Sequence, residues 1–174
     1  MQSDRIENQY NDAKDLIKYL MEKDEVSYAT YIDDVYKKTL LLSAASFFEN
    51  EISTTLVKFA HRAGKNDIRL EHLIQNKVIQ RQYHTFFNWD AKNTNQFWGM
   101  FGNEQKENAR LKIDSNELLK EAEQAFITLG KQRNLLVHVN FAEQVINDTL
   151  DDLYKNYKKA CGFIEFIEDE FINS

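Results

Sequence analysis

Between Tyr28 and Ala63 the apolar residues Leu41, Ala45, Phe48, Ile52, Leu56, Phe59 and Ala63 recur in steps of three and four. Such steps return to one face of an α-helix, so a single long helix with one inward side is expected. No proline occurs in the 174 residues, and only five glycines do. Gly64-Lys65-Asn66 follows the stripe, and a glycine at a helix stop commonly supplies a positive φ. No segment of the chain alternates apolar and polar residues with period two. The fold class this implies is all-α.

The remaining segments read the same way. Asp4 to Glu22 carries Ile6, Tyr10, Ala13, Ile17 and Leu20 at helical spacing. Asp67 is placed to cap a third helix bearing Ile68, Leu73, Ile74, Val78 and Ile79. The polar cluster from Asn88 to Asn95 reads as a loop, followed by a short helix from Gln96 to Phe101 that Gly102 closes. Asp114 or Ser115 is set to cap the next helix, and Asp114 with Glu117 has capping-box spacing. That helix carries Leu118, Ala122, Ala125, Phe126 and Leu129 and continues through residues 131–138. Asp148 or Thr149 caps the last, which carries Leu150, Leu153, Tyr157, Cys161, Ile164 and Ile167. One domain over residues 1–174, a bundle of about five main helices, is expected.

Composition narrows the setting. No apolar run approaches membrane-spanning length, so no membrane association is expected. The lone Cys161 cannot form an intramolecular disulfide and fits a reducing, cytoplasmic environment. The formal net charge of −6 counts against binding nucleic acid over the whole surface. The charge is uneven, however. Residues 1–34 hold nine acids against four bases, and residues 143–174 hold eight against three. Between Lys58 and His84 the balance reverses, with Lys58, Arg62, Lys65, Arg69, Lys77 and Arg81 facing only Asp67 and Glu71. A basic middle permits a local phosphate-binding surface, and equally a solvated helix face.

The segment Lys131-Gln132-Arg133-Asn134-Leu135-Leu136-Val137-His138-Val139-Asn140-Phe141 is where the chain carries chemistry. A histidine with an ordinary pKa of about 6.5 exchanges protons near neutral pH. Arg133 offers a permanently charged planar fork that suits phosphate oxygens. Asn134 precedes His138 by four residues, so on a helix the two share a face. Arg133 and His138 are five apart, about 140° around a regular helix. One helix does not aim both at a single phosphate unless Arg133 reaches round, the turn is irregular, or a second copy completes the site.

An Arg, an adjacent Asn and a following His resemble the motif of the HEPN superfamily, and the helical scaffold extends that resemblance over most of the chain. Ala44-Ala45-Ser46-Phe47-Phe48-Glu49-Asn50-Glu51-Ile52 resembles the corresponding helix of HEPN relatives found beside bacterial toxin–antitoxin and phage-defence genes. Asn93-Thr94-Asn95-Gln96-Phe97-Trp98-Gly99-Met100-Phe101-Gly102 looks like an aromatic, Asn-rich turn of that subgroup. The resemblance implies a metal-independent endoribonuclease, with the RNA's own 2′-OH attacking the adjacent phosphate. It implies a two-fold homodimer in which two motifs line one composite cleft. Arg133, His138 and Asn134 would then be the catalytic set, with Lys131 and Asn140 contacting RNA. An antitoxin or defence-system protein is the expected further partner. HEPN toxins silenced by a nucleotidyltransferase resemble Arg…His-x-Tyr, whereas this chain has Asn140 at the Tyr position, which puts that regulatory route in doubt.

Other readings of the same residues stand beside this one. Arg133 can pair with a buried acid, and His138 can be a hydrogen-bonded core histidine. Glu49, three after Ser46 and four before Ser53, forms a polar lane on the long helix, and a buried carboxylate there would need Arg133 as its partner. Glu51 is expected to face solvent. A non-catalytic HEPN-like module, binding RNA or a partner protein, is the alternative function. His61, His72 and His84 are spaced eleven and twelve apart without cysteine or acidic partners, so no metal site and no cofactor are expected. Tyr83, Phe86, Phe87, Trp89, Phe97, Trp98 and Phe101 crowd a short span and read as core, although exposed rings there could stack on bases.

Overall fold

The computed structural model describes residues 2–80, 82–138, 141 and 143–173, the side chains of residues 2, 3 and 138 excepted. Among these residues every regular element is helical. Helix α1 (Gln2–Glu22) and helix α2 (Val26–Ala63) are joined by three residues, with Asp24 at φ 62°. So short a link folds α1 back against α2, burying Ile6 and Ala13. Helix α3 (Ile68–Leu73) widens into a π-helical turn (Ile74–Ile79). Helices α4 (Asn95–Gly99), α5 (Asn103–Asp114), α6 (Glu117–His138) and α7 (Leu150–Glu168) follow, and α7 ends in a second π-helical turn (Asp169–Asn173).

The long helix buries Leu40, Leu41, Ala44, Phe48, Ile52, Leu56 and Ala60. This arc is wider than the expected stripe: Ala45 and Phe59 are only half-buried, and Ala63 is exposed. The cause is packing from several directions, because α1, α6 and α7 all lie against α2. The stop after Ala63 also differs from expectation. Gly64 has φ −79°, and the left-handed residues are Lys65 at φ 51° and Asn66 at φ 64°. Space at 64 is tight, since a Cβ there would meet Leu70 Cδ2 at 2.7 Å, which the exposed leucine can relieve by turning, and the Ala60 carbonyl at 3.0 Å. Asp67 caps α3 as expected, accepting from the Arg69 N–H at 2.9 Å.

Two features of the middle depart from the sequence pattern. Helix α5 was not expected, because its face is polar apart from the buried anchors Ala109 and Ile113, and Leu111 points outward. Asp114 therefore ends α5 instead of capping α6, and Asn116 Oδ1 accepts from the N–H groups of Leu118 and Leu119. The α7 cap conforms. Thr149 and Asp152 form a reciprocal capping box.

The core is strongly aromatic. Phe48 packs against Phe126 and Tyr157 with ring centroids 5.6 and 5.8 Å apart. Phe87 stacks on Phe97 at 4.9 Å, and Trp98 on Phe171 at 5.8 Å. Phe86, Phe87, Phe97 and Trp98 are buried, as their crowding led one to expect, while Trp89 and Phe101 are half-buried. Beneath them lies a charged residue absent from the sequence expectations. Glu123 is buried, and its carboxylate accepts from the Thr94 N–H at 2.8 Å, the Thr94 hydroxyl at 2.6 Å and Arg110 Nη1 at 3.0 and 3.1 Å. Trp98 Nε1 donates to the same Thr94 hydroxyl at 3.0 Å. This network fastens the loop before α4, and α5 itself, to α6.

Candidate functional site

The Arg-Asn pair lies in the last part of α6, and His138 is that helix's final residue. The helix is regular through that point, so an irregular turn does not bring Arg133 round toward the His138 position. Arg133 and Asn134 are both half-buried, and Arg133 Nη1 donates to Asn134 Oδ1 at 3.2 Å. They line a cavity of about 360 Å³ between α2, α6 and the segment from Tyr83 to Trp89. Phe48, Tyr83 and Phe126 are its buried walls, and Glu49, His84 and Val137 are its exposed rim.

The fourth ring of this cavity is positioned by a glycine. A Cβ on Gly130 would fall 1.9 Å from Trp89 Cζ3 and 2.0 Å from Cε3, so the indole occupies the space that a side chain would take. Gly130 is one helical turn before Arg133 on the same helix. Trp89 Nε1 donates to the His84 carbonyl at 3.3 Å, which ties the ring to its own loop. Neither the tryptophan's place nor the glycine's purpose is visible from spacing, because they come from different elements.

Charge in the cavity is mixed. Burial pushes the Tyr83 hydroxyl pKa far up, and the Glu49 charge raises it further, while Arg133 acts in the opposite sense. The tyrosine therefore keeps its proton and can donate. Glu49 shares the cavity with Arg133 but does not pair with it. Among the described residues no hydrogen bond or ion pair engages its carboxylate, and its side chain is exposed. The expected buried ion pair is thus corrected: Glu49 sits at the rim, where water solvates it, and Glu51 is the more enclosed of the two.

The other sequence candidates are dispersed. Ser46 faces a groove between α1 and α2, beside Arg5 and Gln9, and not the Arg133 cavity. Lys131 is exposed and pairs with Asp90 at 3.1 Å, in a separate groove on the far side of Trp89. The position of Asn140 lies outside the described residues, as does the side chain of His138. Much of the basic middle is engaged internally: Lys58 with Glu168 at 3.6 Å, Arg69 with Asp67 at 2.6 Å, and His61 with Glu71 at 2.8 Å. Arg81 lies outside the described residues.

One buried cation escaped the sequence reading. Lys38 is buried on α2, its ammonium 2.7 Å from Asp34 and 5.3 Å from the centre of the Phe141 ring. Phe141 lies three residues after His138 in the sequence, so Lys38 contacts a ring just past the motif. The repeated Asp33-Asp34, Lys37-Lys38 pattern was a signal for i,i+4 pairing but not for burial. Among the described residues no group of three His, Cys or acidic side chains is placed to hold a metal ion, and no helix is long and apolar enough to cross a membrane.

A helical bundle whose penultimate long helix ends in Arg-Asn-x-x-x-His defines a HEPN-type domain. The chain matches the RiboL-PSP-HEPN family over residues 4–173, nearly its whole length, and belongs to that family. No curated protein and no solved structure matches it.

Proposed function

We propose that this HEPN domain is a metal-independent endoribonuclease that acts in the cytoplasm in bacterial toxin–antitoxin or antiphage defence. One observation carries the reading: Arg133 and Asn134 line one open cavity at the end of the helix that terminates in His138. In the reaction, His138 transfers the proton between the 2′-OH and the departing 5′-oxygen. Arg133 neutralises charge that builds on the phosphoryl oxygens, and Asn134 orients the guanidinium through the 3.2 Å hydrogen bond. The products carry 2′,3′-cyclic phosphate and 5′-hydroxyl ends.

The separation of about 140° between Arg133 and His138 around α6 supports a composite site. A second copy, related by a two-fold axis, presents its His138 to the first copy's Arg133. Leu135, Val137, Phe141 and Val145 are exposed around the helix end and favour such an apolar contact. An antitoxin or other defence protein that covers this face would silence the enzyme.

The test is cleavage of a structured RNA by the purified protein in EDTA. Cutting that persists there, and fails on RNA with 2′-methoxy groups, is the expected result. Cutting only with added magnesium, or a wild-type rate for His138→Ala, would refute the mechanism. RNA binding without any cutting would instead favour a non-catalytic module.

A further inference from the structure

The cavity beside Arg133 has features that phosphate chemistry does not use. Its walls include the rings of Phe48, Tyr83, Trp89 and Phe126. Its volume of about 360 Å³ is within the usual range for small-ligand sites, which are apolar with a few fixed polar groups. A phosphate clamp needs charge and water exclusion, whereas a ring-lined recess next to one suits the flat faces of a base.

The polar groups around it divide by hydrogen-bonding sense. The Glu49 carboxylate offers acceptor oxygens alone, and no hydrogen bond or ion pair among the described residues engages them. Arg133 only donates, and it takes Asn134 Oδ1; among the described residues no hydrogen bond engages Asn134 Nδ2, a donor on a side chain that lines the cavity. The Tyr83 hydroxyl keeps its proton. A carboxylate with both oxygens open matches two neighbouring N–H donors. Guanine has them, in N1–H and the N2 amino group, with the O6 acceptor alongside. Uracil has one N–H between two carbonyls, and adenine and cytosine each set an amino group beside an unprotonated ring nitrogen.

We infer that this cavity receives a guanine base of the substrate RNA, with Glu49 accepting from its N1–H and N2 amino edge and Asn134 donating to O6. The inference rests on the ribonuclease reading in taking that base to belong to an RNA strand. It gives the exposed position of Glu49 a purpose, since a carboxylate bound to Arg133 would not be open to a ligand.

Calorimetric titration of the full chain with the 3′-monophosphates of guanosine, adenosine, cytidine and uridine tests it without requiring cleavage. The guanine nucleotide should bind about ten- to a hundredfold more tightly than the others. Glu49→Gln replaces one acceptor with an amide donor and should bring the guanine nucleotide to the level of the other three. Its unchanged circular dichroism would show that the fold is retained. Equal binding of all four, or a preference that survives Glu49→Gln, would overturn the inference. Cleavage mapping separates the two proposals. Cutting without base preference would remove the guanine site and leave the nuclease reading intact. Guanine-selective binding by a protein that cuts no RNA would do the reverse.

Discussion

Trp89 lies over the backbone of α6 at Gly130, so close that a methyl group on that glycine would sit 1.9 Å from the indole Cζ3. The contact fixes one wall of the cavity and the loop from Tyr83 to Trp89 at the same time. Gly130→Ala must push the ring away, and overpacking of this kind typically costs about 1–3 kcal/mol. Gly162→Ala is the control, because its Cβ would meet nothing nearer than Ala122 Cβ at 3.7 Å. Urea denaturation should show Gly130→Ala destabilised and Gly162→Ala neutral or stabilised. Equal midpoints would mean that Trp89 is not held against the glycine.

Glu123 should be the acid on which stability depends most. Its replacement by Ala strands Thr94 and removes the buried partner of Arg110, whose remaining ion pair among the described residues is with the exposed Asp114 at 3.0 Å. Breaking a buried pair from one side typically costs about 3–5 kcal/mol. Glu121→Ala removes a solvent-exposed partner of Lys159 and should change the midpoint little. Similar losses for the two variants would show that the Glu123 network contributes no more than a surface pair.

The proposed composite site makes a prediction that a site within one protomer does not. Arg133→Ala and His138→Ala should each lower cleavage by about 10²–10⁴-fold, as loss of a charge-stabilising or proton-transfer group does. Mixing the two inactive variants should restore measurable cutting, because a mixed dimer keeps one intact pairing of Arg133 with His138. Absence of any recovery, with subunit exchange verified, would place both residues of each site on one chain.

Acid stability should depend on the start of α7. Hydrogen bonds from Lys14 and Tyr10 hold the Asp151 carboxyl below its ordinary pKa, and the Thr149 hydroxyl and N–H do the same for Asp152. A depressed carboxyl stabilises the fold above its unfolded pKa of about 3.9 and loses that effect as pH falls through the folded value. Asp152→Asn should therefore reduce stability at neutral pH and flatten its decline below about pH 4. Parallel curves for variant and wild type would show the capping box to be inert. Thr149→Ala, tested alongside, should cost about 1 kcal/mol through loss of the cap.

Glu49→Ala should leave the melting temperature nearly unchanged. A buried Glu49–Arg133 pair would instead make this change far more damaging than Glu51→Ala. The exposure of Glu49 removes the basis for such a loss, so thermal melting of the two variants distinguishes rim from core directly. A large loss for Glu49→Ala alone would show that the side chain is engaged in solution.

What was legible in the sequence is local or periodic. The α2 stripe, the caps at Asp67 and Thr149, and the placement of Arg133, Asn134 and His138 on a late helix all follow from residues a few positions apart. The aromatics from Tyr83 to Phe101 could be assigned mainly to the core on composition alone. Helix α5 was missed because two buried anchors do not make a visible stripe. Burial of an individual polar residue was not legible either. Glu49 and Glu123 both sit on amphipathic helices, yet one is left in water and the other is covered by Thr94 and Arg110. Lys38 and Trp89 obtain their roles from Phe141 and Gly130, which lie 103 and 41 positions away in the chain. Helical periodicity reports which face turns inward. The group that arrives from another element to meet a given side chain is decided only when the helices pack.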